Sequence, residues 1–275
     1  MIHRRRFLGR TAGLLAAVAL PRFAAANVSP PKEVIDEGLA KRFAALGTQG
    51  TFVAYDANGY TITASDKVRS GEAQLPASTF KIANFLIALE TGVVSDPDKD
   101  IFKWDGVKRA IEPWNKDHTL RSAMAASVVP VGQEIARRIG AERMQTYVNL
   151  LEYGNRNIGG GLEQFWLTGD LRIDPVQQID FVDRLRRGVL PVSARSQDII
   201  RDILTVTKTD TGLFRYKTGL LGAEIGKPSL GWVVGWAEKG EGRTVFAMNM
   251  DCKTPEHVPA RIAVTQNLLA DVGAL

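Results

Sequence analysis

Apolar and polar positions repeat along this chain with two periods, and those periods sort it into strands and helices. Residues 33–46 carry a short helical pattern. Thr51 to Tyr55 and Tyr60 to Ala64 alternate as strands, and Asp56-Ala57-Asn58-Gly59 between them is hairpin chemistry. In the stretch 76–90, Ile82, Phe85, Leu86 and Leu89 recur at helical spacing, and Gly92 stands where a left-handed cap would end the helix. A largely helical middle runs from about 119 to 205: residues 119–127, 131–139 and 141–152, then a helix capped by Asp174 with Pro175 first, then 195–204. A Gly-rich stretch, 153–173, is long enough to be a functional loop. Residues 213–217, 231–237 and 244–249 read as three more strands, and 258–269 as a closing helix.

Two strands before a helical insert and three after it predict an α+β domain. Its centre would be a mostly antiparallel sheet with helices against it, and residues of about 95–205 would form a helical lobe. The cleft between the two would be bordered by the 76–90 helix.

Composition changes this picture at the N-terminus. Residues 1–26 hold Arg4, Arg5, Arg6, Arg10 and Arg22 and no acid, followed by a small apolar run and Ala24-Ala25-Ala26. This is the pattern of a cleaved secretory signal, too short for a membrane span. Arg4-Arg5-Arg6-Phe7-Leu8 fits twin-arginine export, so the expected location is the periplasm. The whole chain has 35 basic and 30 acidic residues, and the signal removes five of the basic ones, so residues 27–275 are balanced. The basic excess therefore gives no support to nucleic-acid or anionic-membrane binding, and no anchor is expected in the mature form. Cys252 is the only cysteine, which excludes an intramolecular disulfide and fits a core position. With His118 and His257 the only histidines after residue 26, no metal site is expected.

The chemistry centres on Ser78-Thr79-Phe80-Lys81. On a helix, residues three apart share a face, so the Ser78 hydroxyl and Lys81 amine would meet beside an apolar stripe. A buried amine tends to lose its charge, and a neutral amine beside a hydroxyl is a base beside a nucleophile. The competing reading is an N-cap serine followed by a lysine whose stem lies on the apolar surface. The second Ser-x-x-Lys, Ser29 to Lys32, contains two prolines and no apolar stripe, so it cannot be a helix interior.

Four more stretches read singly as ordinary turn or core chemistry: Ser127-Val128-Val129 at a helix end, Tyr153-Gly154-Asn155, Phe165-Trp166-Leu167, and Lys217-Thr218-Gly219 at a strand end. In this order, with Ser78-Thr79-Phe80-Lys81 and Gly231-Trp232-Val233-Val234-Gly235-Trp236, they resemble the serine β-lactamases and penicillin-interacting proteins, specifically class D, the oxacillinase type. The resemblance spans essentially residues 27–275.

It implies that Ser78 attacks the lactam carbonyl, that Ser127 passes a proton to the departing nitrogen, and that backbone N–H groups of Ser78 and Leu220 form the oxyanion hole. It implies that Lys217, Thr218 and Arg261 hold the substrate carboxylate, with Gly219, Val129 and Leu167 lining the site. Class A enzymes place a deacylating Glu four residues before an Asn in the corresponding loop. Here Glu163 is followed by Gln164-Phe165-Trp166-Leu167, which lacks that arrangement. Class D enzymes instead carry CO2 on the lysine, so Lys81 is expected as N6-carboxylysine, held by Trp166, with bicarbonate as its source and no other cofactor. β-Lactam sensors and cell-wall transpeptidases share the Ser and Lys motifs but acylate without turnover; Trp166 and Tyr153-Gly154-Asn155 favour a lactamase conferring resistance. Substrate range would follow from the loop between Leu220 and Gly231, and monomer and homodimer are equally compatible with the sequence.

Overall fold

The computed structural model describes residues 30–222 and 229–275. The signal expected at 1–26 and the centre of the loop between Leu220 and Gly231 lie outside the described residues.

In chain order the elements are β1 (Lys32–Ile35), α1 (Lys41–Ala44), β2 (Gly50–Asp56), β3 (Thr61–Ala64), α2 (Lys81–Glu90), α3 (Leu120–Ala125), α4 (Val129–Ile139), α5 (Ala141–Leu150), α6 (Pro175–Arg187), α7 (Ala194–Ile203), β4 (Thr205–Lys208), β5 (Leu213–Leu221), β6 (Ser229–Lys239), β7 (Gly242–Cys252) and α8 (His257–Asp271). The strands form one seven-stranded sheet in the order β1-β3-β2-β7-β6-β5-β4. Every neighbouring pair is antiparallel except β1–β3.

Both faces of the sheet are covered, and strand alternation divides the core in two. On one face Trp232, Val234 and Trp236 of β6 join Val53, Val245 and Ala247 against α2, α4, α5 and α6. On the other, Val233 and Ala237 join Phe52, Phe246 and Met248 against Phe43 of α1 and Leu268 and Leu269 of α8, with Cys252 in the same cluster.

The structure corrects three expectations about local elements. The 33–46 pattern is not one helix: Lys32–Ile35 pairs in parallel with Thr61–Ala64, and only a 3-10 turn and the four-residue α1 follow. The apolar pair Leu39 and Phe43 gave the helical signal, whereas β1 is an edge strand with little to bury. β4 was not anticipated; it is another four-residue edge strand, paired only with β5. β5 continues to Leu221, so Lys217-Thr218-Gly219 lies within a strand. As the apolar stripe predicts, α2 is buried from Lys81 through Leu89 and packs against α4, α5 and α7.

Other signals hold. Asp174 caps α6 in a capping box with Gln177, Pro175 is its first residue, and Gly92 has φ 69° after α2.

Candidate active site

α2 is entered through a 3-10 turn, Ala77–Phe80, which sets Ser78 at its mouth. Ala77 has φ 50°, a left-handed conformation costly for a residue with a Cβ. Three bonds hold this turn: Ala77 N–H donates to the Trp166 carbonyl at 3.0 Å, Thr79 Oγ1 donates to the Pro76 carbonyl at 2.7 Å, and Trp232 Nε1 donates to the Leu75 carbonyl at 3.0 Å. The nucleophile turn is thus tied to the long loop, to itself and to the sheet.

Lys81 Nζ donates to Ser78 Oγ at 2.9 Å. The lysine is 1% exposed, and burial pulls its amine down to about 7 from the ordinary 10.5. One helical turn further, Asn84 is fully buried and donates to the Gly132 carbonyl of α4 at 2.9 Å. A Cβ on Gly132 would lie 3.6 Å from Lys81 Cε and 4.0 Å from Trp166 Cζ2, so α4 and the Trp166 indole flank the lysine stem.

A second serine–lysine pair comes from distant parts of the chain. Ser127 sits at φ 53° between α3 and α4, and Lys217 of β5 donates to its Oγ at 2.8 Å and to the Thr218 carbonyl at 2.9 Å. Lys217 is 2% exposed. Burial above all, then the charges of Lys81 and Arg261, push its amine well below the ordinary range.

β5 is held against the nucleophile turn through Gly219: a Cβ there would lie 3.1 Å from the Pro76 carbonyl oxygen and 3.2 Å from Thr79 Cγ2. Behind the strand, Arg261 of α8 is buried and donates to the Gly219 carbonyl, while its Nε donates to the Val258 carbonyl at 2.8 Å. It passes Gly231 of β6, where a Cβ would fall 2.3 Å from Arg261 Cδ, so only glycine leaves room for the arginine.

The remaining wall is aromatic. Trp166 is 1% exposed, stacks on Phe80 with ring centroids 5.5 Å apart, and meets Phe165 edge-on at 4.8 Å. Val129 opens α4 two residues after Ser127, Leu167 follows Trp166, and Thr218 and Leu220 flank Gly219 on β5; these four are half-buried. Glu163 instead turns outward to an ion pair with Arg137.

The sequence reading passed over three residues that the structure brings here. Asn84 was findable, since 78, 81 and 84 share a helix face. Trp114, whose indole N–H donates to the Ala126 carbonyl at 3.0 Å beside Ser127, and Gln178 of α6 arrive by tertiary folding and left no local signal. Among the described residues, no helix is long and apolar enough to cross a membrane.

The geometry agrees with what is similar to this chain. A family model described as penicillin binding protein transpeptidase domain matches residues 50–272. β-Lactamase OXA-5 of Pseudomonas aeruginosa is 41% identical over 246 residues, covering 88% of this chain and 92% of that protein. β-Lactamase OXA-48 of Klebsiella pneumoniae is 43% identical over 222 residues, covering 81% and 83%. The crystal structure of the class D β-lactamase YbxI from Nostoc superposes with a TM-score of 0.81 at 40% identity, covering 86% of this chain and 99% of the other.

Proposed function

This chain belongs to the class D serine β-lactamases, hydrolases of the β-lactam ring, and we propose that it works through a Ser78 acyl-enzyme with carboxylated Lys81 as base. The observation that carries this reading is the enclosed Lys81 amine, 2.9 Å from Ser78 Oγ and pulled down to about 7. At neutral pH a large fraction of that amine is uncharged. With Lys81 carboxylated, the Ser78 hydroxyl would give its proton to the carboxylate there as Oγ attacks the lactam carbonyl carbon.

The same neutral amine is the form that adds to CO2, so the site fits the modification. The group would supply a carboxylate base next to Ser78. Trp166 would hold it by its indole N–H, and apolar Phe80 and Val129 would keep the pocket dry.

In acylation the Ser78 oxygen–carbon bond forms and the lactam C–N bond breaks. Ser127, bonded to Lys217, delivers the proton that the leaving nitrogen requires. Backbone N–H groups of Ser78 and Leu220 would face the developing oxyanion. Lys217, Thr218 and Arg261 would bind the substrate carboxylate, whose charge would favour the protonated form of Lys217. Water then cleaves the ester, and Ser78 recovers its proton. We further propose export by the twin-arginine route to the periplasm, where hydrolysis would confer β-lactam resistance.

The test is turnover of oxacillin and of a chromogenic cephalosporin, with and without bicarbonate. Sustained turnover raised by bicarbonate and absent in Ser78→Ala is expected. A single stoichiometric burst in bicarbonate would mean acylation without hydrolysis and would overturn the carboxylated-lysine mechanism.

A further inference from the structure

Beneath the nucleophile turn lies a small polar cluster in an otherwise apolar core. Gln178 of α6 is fully buried and donates from Nε2 to Thr79 Oγ1 at 2.9 Å. Thr79 Oγ1 has already given its proton to the Pro76 carbonyl at 2.7 Å, so toward Gln178 it can only accept, which fixes the orientation of the amide. The relay Gln178–Thr79–Pro76 therefore spans the turn that carries Ser78. It clamps the segment in which Ala77 adopts φ 50°.

The cluster is poorly built for stability. Gln178 Oε1 and the Tyr153 hydroxyl are both buried and neither makes a hydrogen bond of good geometry, although the hydroxyl lies close enough to Thr79 and Gln178 for both to act on it. Tyr153 is boxed by Phe80 at 5.4 Å and Phe181 at 4.9 Å, and burial keeps its hydroxyl protonated. A half-satisfied buried amide is less favourable than an apolar side chain of the same shape. What the glutamine supplies is a fixed position for Thr79.

We infer that Gln178 is a positioning residue for the hydrolysis: it holds Thr79, and through it the 3-10 turn, so that Ser78 Oγ stays in register with Lys81 and with Gly219 on β5. The inference rests on the reading of Ser78 as nucleophile. Displacement of a nucleophile by about an ångström costs on the order of 100-fold in rate, so the effect belongs in acylation.

The experiment compares full-length Gln178→Met, Thr79→Val and Thr79→Ser with the parent protein in bicarbonate. It reads stopped-flow acylation by a chromogenic cephalosporin, thermal midpoint, and the site of covalent labelling by peptide mass spectrometry. Gln178→Met is expected to keep or raise the midpoint while acylation falls about 10- to 100-fold. Thr79→Ser, which retains the accepting hydroxyl, should acylate at least about tenfold faster than Thr79→Val, and Gln178→Met combined with Thr79→Val should lose no more than either alone. Acylation by Gln178→Met within about twofold of the parent would overturn the inference. If that variant does not fold, equal rates for Thr79→Ser and Thr79→Val would overturn it instead. Labelling of the parent at a residue other than Ser78 would remove the functional reading itself, an outcome separate from either of these.

Discussion

Two serine–lysine pairs lie near enough for the Lys81 charge to act on Lys217, and they are built in opposite ways. Ser78 and Lys81 are three residues apart and meet at 2.9 Å because a helical turn brings them together. Ser127 and Lys217 are 90 residues apart and meet at 2.8 Å only because α3–α4 and β5 are packed in one fold. Both lysines are buried, yet their electrostatics differ. Burial alone lowers Lys81, and only to about 7. Lys217 is lowered well below its ordinary value, by burial first and then by Lys81 and Arg261. The local pair is thus poised to exchange a proton near neutrality, whereas the assembled pair lies beside other basic groups, where a bound anion would favour the protonated lysine. The same two side-chain types serve as base and as anion clamp according to what surrounds them.

The largest expected effect breaks the local pair. Lys81→Met keeps the stem and removes the amine, so turnover should fall by about 10⁴-fold. Stability should move the other way. Lys81 titrates near 7 when folded and at 10.5 when unfolded, so between these values the unfolded chain binds more protons. The cost of burying the amine is therefore fully present below about 7 and relieved as pH rises toward 10.5. Each tenfold loss of proton affinity on folding corresponds to about 1.4 kcal/mol, so in CO2-depleted buffer at neutral pH Lys81→Met should be more stable than the parent by on the order of 4 kcal/mol. Denaturant melts at pH 7 and pH 10 check this; a difference that fails to shrink at the higher pH would contradict the burial account.

Lys217→Ala probes the assembled pair and should cost less, about 100-fold in kcat/KM, because one charged anchor is lost while Ser78 and Lys81 keep their contact. Carboxylate binding places most of that loss in KM. A penicillin analogue lacking the ring carboxylate should be nearly indifferent to the substitution. Equal losses with both substrates would assign Lys217 to proton transfer and blur the distinction between the pairs.

The contrast also explains how much could be read beforehand. The Ser78–Lys81 pair was legible from helical spacing and an apolar stripe, because its geometry is local. Nothing local joins Ser127 to Lys217, or Arg261 to Gly219; those groupings followed only from the resemblance to a known family. Gln178 meets Thr79 across 99 residues, so neither spacing nor pattern pointed to it. The central strands β2, β5, β6 and β7 announced themselves by hydrophobic alternation. β1 and β4 did not, since each is a four-residue edge strand whose identity comes from the neighbour it pairs with.

The smallest expected effect concerns where the deacylating base resides. Glu163 is the one glutamate in the long loop, near the position where class A enzymes carry theirs, and its sequence context lacks their spacing. In the structure it points to Arg137 and is half-exposed, whereas Phe165 and Trp166 just after it are buried. A solvated ion pair of this kind contributes about 0–1 kcal/mol to stability. Glu163→Gln should therefore leave deacylation within about twofold of the parent, with and without bicarbonate. Rapid-quench measurement of acyl-enzyme decay separates this step from acylation. A tenfold slowing that bicarbonate does not relieve would place the base in the loop, and the local Ser78–Lys81 pair would then account for acylation alone.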